Sequence, residues 1–317
     1  MKEKMINKIH IEGYLYQHKL EKKVSGPKLR NPGVEFITGT IEIATDNSLI
    51  NIVPVHFTYV TAKTKSDRPN KTYTVLSNII DGVYGSMMEH GIDNAVKLKM
   101  DSAIGLNDFY SYRENPPALV SSKRNEGSFN LDVVTGDFVE EKERARFEVD
   151  MIITNTTFID ADEERNLPEK LILKGAIFDF RKALLPVDFS VVNKQAIDYF
   201  ESLNASPTEP VFTKVRGNQV AETIVRTITE ESAFGEPSVR EVKSVRKDYI
   251  VNWATNEPYI WDDASTITAK ELREAMAARE TYLSTVKARS DEYQNAKTGG
   301  AKVSAGAFVA EDAGFKF

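Results

Sequence analysis

One order of hydrophobic periodicities runs twice along this chain, and it constrains the fold more than any other feature. Residues 8–16, 35–44 and 49–60 alternate apolar and polar side chains with the period of a half-buried strand. Residues 72–85 then place Val75, Leu76, Ile79, Ile80 and Val83 at helical spacing, and residues 95–100 return to the strand period. The second pass starts with strand-like runs at 147–159, 169–180 and 184–192. A short helical segment, 194–203, follows with Ile197, Phe200 and Leu203 on one face. A strand at 210–220 then enters a turn at Gly217 and Asn218, and 223–261 completes the second unit with a long hairpin. No residue-level identity accompanies this repeat of order. Gly13 and Gly39, inside strands, permit the sharp coiling that a small closed sheet needs.

The chain has 317 residues, enough for two modest cores. The least regular stretch, 114–127, and the charged run 140–146 set a boundary near 145. No apolar run approaches the roughly 18 to 20 residues that span a bilayer, and the start carries no apolar signal region. With no Cys, disulfides, thiolate zinc sites and cysteine nucleophiles are excluded, and a cytoplasmic compartment is expected. His10, His18, His56 and His90 are scattered, without metal-ligand spacing. Phosphate-loop, dinucleotide and nucleophile-elbow motifs are missing. Asp160, Asp162 and Glu164 alternate, but the Gly and later Glu of a calcium loop are not there, so they read as an acidic turn. The expectation is a non-enzymatic protein with no cofactor and no metal.

A net charge of −6 rules out binding to nucleic acid through bulk positive charge, so any such binding needs a local basic face. Two segments supply one. Lys19, Lys22, Lys23, Lys28 and Arg30 face a single acid, Glu21; Lys63, Lys65, Arg68 and Lys71 face Asp67. Both read as loops, whose simpler use is to solvate a surface and guard sheet edges. Tyr14 and Tyr16 share the strand face opposite Leu15, as Phe57 and Tyr59 share theirs. With Leu15 in the core the tyrosines point outward; the alternative puts the tyrosines inside. Lys214 and Arg216, two apart, also share a side.

The runs IEGYLYQHKLEKK (11–23), FITGTIEIATD (36–46) and INIVPVHFTYV (50–60) resemble the first three strands of OB-fold single-stranded DNA-binding proteins of a phage-like kind. The likeness is strongest over 8–100. The run PVFTKVRGNQV (210–220) resembles their fourth strand. The resemblance implies a mainly β chain of two tandem OB-like barrels, 1–145 and 146–264, followed by a C-terminal amphipathic helix, linker and tip over 265–317. It implies stacking of bases on Tyr14, Tyr16, Phe36, Phe57 and Tyr59. Phosphates would meet Lys19, Lys22, Lys23, Lys28, Arg30, Lys65, Arg68, Lys71, Lys214 and Arg216. The loops around Lys23 and Arg68 should then flank one groove, with Tyr14 or Tyr16 at its floor. The implied partner is single-stranded DNA, with RNA left open.

At the C-terminal end, Thr268 and Glu271 form a capping box that opens a helix running to about Gln294. Leu272, Met276, Arg279, Leu283 and Val286 mark one stripe, which packs at home or pairs with another copy of the chain. Residues 297–307 read as a flexible linker. The ending FVAEDAGFKF resembles the partner-recruiting tip of bacterial single-stranded DNA-binding proteins, which implies partner contacts by Glu311, Asp312, Phe315 and Phe317. It departs from that tip in its basic Lys316 and in lacking Pro before the last Phe, and docking of the tail on its own domain is the alternative. The resemblance implies a sequence-tolerant protein that protects single strands in replication, recombination or repair, in the host cytoplasm if phage-encoded. The alternative is a structural or assembly protein, such as a virion component, whose barrels serve protein contacts.

Overall fold

A computed structural model describes residues 5–27, 31–113, 115–127, 130–162, 168–230, 234, 238–263 and 266–298. Its first strand, β1 (Asn7–Val24), alternates as the sequence does: Ile9, Ile11 and Leu15 are fully buried, while Lys8, His10 and Tyr14 look outward. The strand pairs antiparallel with β2 (Glu35–Ala44), which pairs with β3 (Ile52–Thr61). Helix α1 (Lys71–Ile80) buries Val75, Leu76 and Ile79 against the sheet, about 1.5–3 kcal/mol for each side chain. Short α2 (Met87–His90) leads into β4 (Lys97–Ser111). Next come β5 (Ala118–Glu126), antiparallel to β4 and parallel to β3, and the two-residue β6 (Asp132–Val133) on β4.

Because β1 is both first and last in this set, the pairing closes: the order β1–β2–β3–β5–β4 returns to β1 through Ile9↔Ser102 to Tyr14↔Lys97. The β4 and β2 pairings meet at Tyr14, beside Gly13. A Cβ on Gly13 would sit 2.0 Å from the Ala44 carbonyl oxygen, so only glycine allows the approach. The same cycle recurs in β7 (Ala145–Ile159), β8 (Lys170–Phe178), β9 (Leu184–Val191), α3 (Lys194–Ser202), β10 (Val211–Glu230) and β11 (Ser238–Ala254). The order β7–β8–β9–β11–β10 closes through Val211↔Ile153 to Asn218↔Arg146, with β9 and β11 parallel. The chain is mainly β with a C-terminal helix, consistent with an OB-like fold.

The two rings are not independent. β1 pairs with β7 from Asn7↔Val149 to Ile11↔Ala145, and one core cluster runs from Ile9 and Leu98 through Phe147 to Phe189 and Val251. A buried polar seam adds specificity. Asn125 donates to Gln219 (2.8 Å), and the Tyr249 hydroxyl, pushed up by burial, donates to Asn125 (2.9 Å).

Helix α4 (Ala269–Thr298) begins with the expected box: the Glu271 amide donates to Thr268 Oγ1 (3.2 Å), and the Thr268 amide to Glu271 Oε2 (3.0 Å). It packs at home and reaches both rings. Leu272 and Ala275 lie on a cluster with Phe178 and Phe212, and Arg279 grips Asp108 of β4. Leu272, Arg279, Leu283 and Val286 of the expected stripe are partly buried and are joined by Ala275 and Tyr282, while Met276 leaves it, 51% exposed.

Other expectations change as well. Lys19, Lys22 and Lys23 belong to strand β1, because the β1–β2 hairpin continues past the ring. β5 falls in the stretch read as irregular, and β4 extends to Ser111. β10 continues through Gly217 and Asn218, with its register against β11 shifting between Arg216 and Gly217. Gly217 is needed for close approach, not for a turn: a Cβ there would lie 1.9 Å from the Ile250 carbonyl oxygen. Among the described residues no helix is long and apolar enough to cross a membrane.

Candidate nucleic-acid interface

Lys23, Phe36 and Thr61 are consecutive cross-strand partners, so both basic segments leave the first ring from the same end. Lys19, Lys65 and Arg68 are exposed there and have no carboxylate partner among the described residues. The other cations are engaged. Lys22 lies 2.8 Å from Asp81, Lys23 2.8 Å from Glu21, Lys63 2.8 Å from Asp67 and Lys71 2.6 Å from Asp132. Hydrogen bonds from Lys22 and from Lys71 hold Asp81 and Asp132 below the usual carboxylate range. Tyr73 donates to Glu35 at this end, and that bond pushes its hydroxyl up to about 12. Lys28 and Arg30 lie outside the described residues.

The aromatic expectation needs correction. Phe36 and Phe57 are each only 1% exposed, so neither presents a face to a base. The β2–β3 register slips between Ile37 and Gly39, which breaks the alternation: Phe57 turns inward over Gly127 while Tyr59 turns out, 37% exposed. The Tyr59 ring rests on Phe36, with centroids 4.4 Å apart. Of the expected stacking rings Phe36, Phe57 and Tyr59, Tyr59 alone is open where the basic segments emerge.

Leu15 is fully buried, so Tyr14 and Tyr16 do look outward, half-buried. Tyr16 sits where the β1–β2 register shifts, between Leu15 and Gln17. They are not the floor between the basic segments, since Tyr14 is nine residues from Lys23 along one strand, about 30 Å. Tyr14 instead meets Phe138 edge-on at 4.9 Å. Lys97 Nζ lies 4.9 Å from the Phe138 centroid and 5.9 Å from that of Tyr14, and the Arg144 guanidinium is 4.9 Å from Phe138. Arg144 is held by Val139 O (2.8 Å) and Asn47 Oδ1 (2.7 Å). Sequence reading missed Phe138, Lys97 and Arg144. Only the Tyr14↔Lys97 register could have pointed to them, and that depends on the ring closing.

Lys214 and Arg216 share a face, as expected, but they also share Glu148, at 3.2 and 2.9 Å. Burial pushes the Glu148 carboxyl up; the hydrogen bonds from Arg216 and Lys214 outweigh it and hold the group below its ordinary range. The Arg216 guanidinium also covers one face of Trp253, 4.3 Å from the ring centroid. Among the described residues no group of three His, Asp or Glu could hold a metal. Glu311, Asp312, Phe315 and Phe317 lie outside the described residues.

These features describe a mainly β protein, consistent with an OB-like fold, that carries cations and half-open aromatic rings on its outer surface. The chain belongs to the YorF family, whose model matches residues 5–289. Among solved structures it is similar to the wild-type single-stranded DNA binding protein from Thermus aquaticus, at 9% identity over 83% of this chain and 97% of that one, with a TM-score of 0.45. A deletion mutant of that protein gives 9%, 82%, 97% and 0.44. A Replication Protein A heterotrimer bound to ssDNA is similar at 10% identity over 88% of this chain and 70% of that one, with a TM-score of 0.23. No curated protein matches the chain.

Proposed function

We propose that this chain is a non-enzymatic, sequence-tolerant single-stranded DNA-binding protein. Its two closed rings are read as tandem OB-like barrels, 1–145 and 146–264, with 265–317 as helix, linker and tip. The observation that carries the reading is the shared ring end. Two basic segments leave it together, Lys19, Lys65 and Arg68 lack carboxylate partners there among the described residues, and the open Tyr59 ring stands beside them. A single strand requires that combination, cations for phosphates and a π-face for a base, and asks for no base-edge code. The role is to shelter single strands in replication or recombination, with partners recruited through the tip.

The assembly reading needs α4 free to pair with other copies, and α4 instead spends its inward stripe on its own rings. Anisotropy of a labelled oligo-dT at about 50 mM salt tests the proposal. Binding is expected, with an affinity that falls steeply as salt rises. No binding at that salt overturns it.

A further inference from the structure

Trp253, Arg216, Glu148 and Lys8 are direct cross-strand partners, Trp253↔Arg216, Arg216↔Glu148 and Glu148↔Lys8, so they form one row across β11, β10, β7 and β1. Along β1, residues 8, 10, 12 and 14 keep to one face, opposite the buried Ile9 and Ile11, and Glu12 on that face is itself covered, 3% exposed, where its carboxylate accepts from Val139 N. Trp253 at one ring and Tyr14 at the other therefore stand on the same outer face of a continuous sheet. Three strand spacings and six residues of β1 separate them, about 25 Å.

We infer that Trp253, braced by Arg216, is a second base-stacking subsite, and that a single strand crosses the junction between the rings along this face. The inference rests on the proposed function and adds a site on the second ring.

The chemistry favours a ligand over a structural brace. The indole is 42% exposed even though the guanidinium lies over its ring. A guanidinium stacked on one side of an indole fixes the ring as a platform on which a base can stack. Arg216 is anchored by Glu148 at 2.9 Å, so the platform is set before any ligand arrives. The second tryptophan behaves differently: Trp261 is half-buried against Phe212 and donates its indole N–H to Pro210 O at 2.9 Å.

That contrast provides the test, because the chain has only these two tryptophans. Oligo-dT of about 30 nucleotides, long enough for two OB-like units, is titrated into wild type, W261F and W253F while tryptophan emission is followed. A labelled copy reports binding by anisotropy. Quenching should persist in W261F and vanish in W253F, and W253A should bind about five- to a hundredfold more weakly. If anisotropy shows binding but W261F emission does not change, the subsite is refuted and the proposed function stands. If wild type binds nothing, the proposed function itself falls. The W261F measurement leaves Trp253 in place, so it decides the matter even where W253A fails to fold.

Discussion

The Arg279 guanidinium clasps the Asp108 carboxylate with two parallel hydrogen bonds, 2.7 and 2.6 Å, and this fork ties α4 to the first ring. The side chains are only 10% and 1% exposed, and Asp108 also accepts from Ser121. Arg279 Nε is buried and finds no acceptor among the described residues. Removing one partner from such a pair strands a buried charge. Asp108→Ala and Arg279→Ala should each cost about 3–5 kcal/mol, whereas replacing both by apolar residues of similar volume should cost far less. Urea unfolding measures this, and single-variant losses under about 1 kcal/mol would show that the pair does not hold the helix.

Gly13 precedes Tyr14, where the β4 and β2 pairings of β1 meet, and its absent side chain makes room for the Ala44 carbonyl. Gly13→Ala forces backbone against backbone and should destabilise by about 1–3 kcal/mol or more. Gly26, with nothing within 4 Å of a Cβ, is the control. Gly26→Ala should be neutral or slightly stabilising, through lost freedom of the unfolded chain. Equal losses at both positions in denaturant titrations would remove the special role of Gly13.

His56 lies on β3, with Thr40 Oγ1 3.3 Å from its Nδ1. Burial lowers its pKa from 6.5, the Arg124 charge lowers it further, and Glu126 opposes. The unfolded chain therefore binds more protons than the folded one just below pH 6.5, and stability falls as the pH drops from 6.5 toward the folded value. His56→Gln should flatten this part of the curve. Unfolding midpoints on either side of about pH 6.5 check it; identical pH slopes in variant and wild type would assign the loss to other groups.

Strand order was legible where a run buries one face, as β1 and β3 do, because that writes period two into the sequence. β7 and β8 bury both faces, with Ile152, Ala176 and Phe178 against α4, and read as short apolar runs. The capping box of α4 was legible because it is local, with Thr268 and Glu271 three residues apart. What failed was non-local or lay beyond the rings. Lys19–Val24 looked like loop because the hairpin there leaves the core, burying only Leu20 among its side chains. β5 looked irregular because, apart from Asn125, none of its residues is buried and its first half is largely exposed. Gly217 mimicked a turn because a glycine needed for close approach and one needed for a turn look the same in one sequence. At the candidate site, Phe57 and Tyr59 were placed together by alternation that a register slip cancels. The Tyr14–Phe138 contact and the Glu148 bridge join residues far apart in sequence that only sheet closure brings near.

Glu148 gives the sharpest test of how the second ring meets a ligand, because one carboxylate occupies two cations that a phosphate would otherwise reach. Its pKa lies below the ordinary 4.5, so its contribution to stability is complete above that value and is lost as the pH falls through the lower folded one. At neutral pH the bridge is intact, and Lys214 and Arg216 are partly masked. Glu148→Gln keeps the shape and removes the charge. The variant should therefore bind oligo-dT several-fold more tightly, with a salt dependence steeper by about one to two phosphate contacts. Unchanged affinity and slope in a folded variant would place these two cations away from the strand, and would leave the ring end at Lys19, Tyr59, Lys65 and Arg68 to account for binding without them.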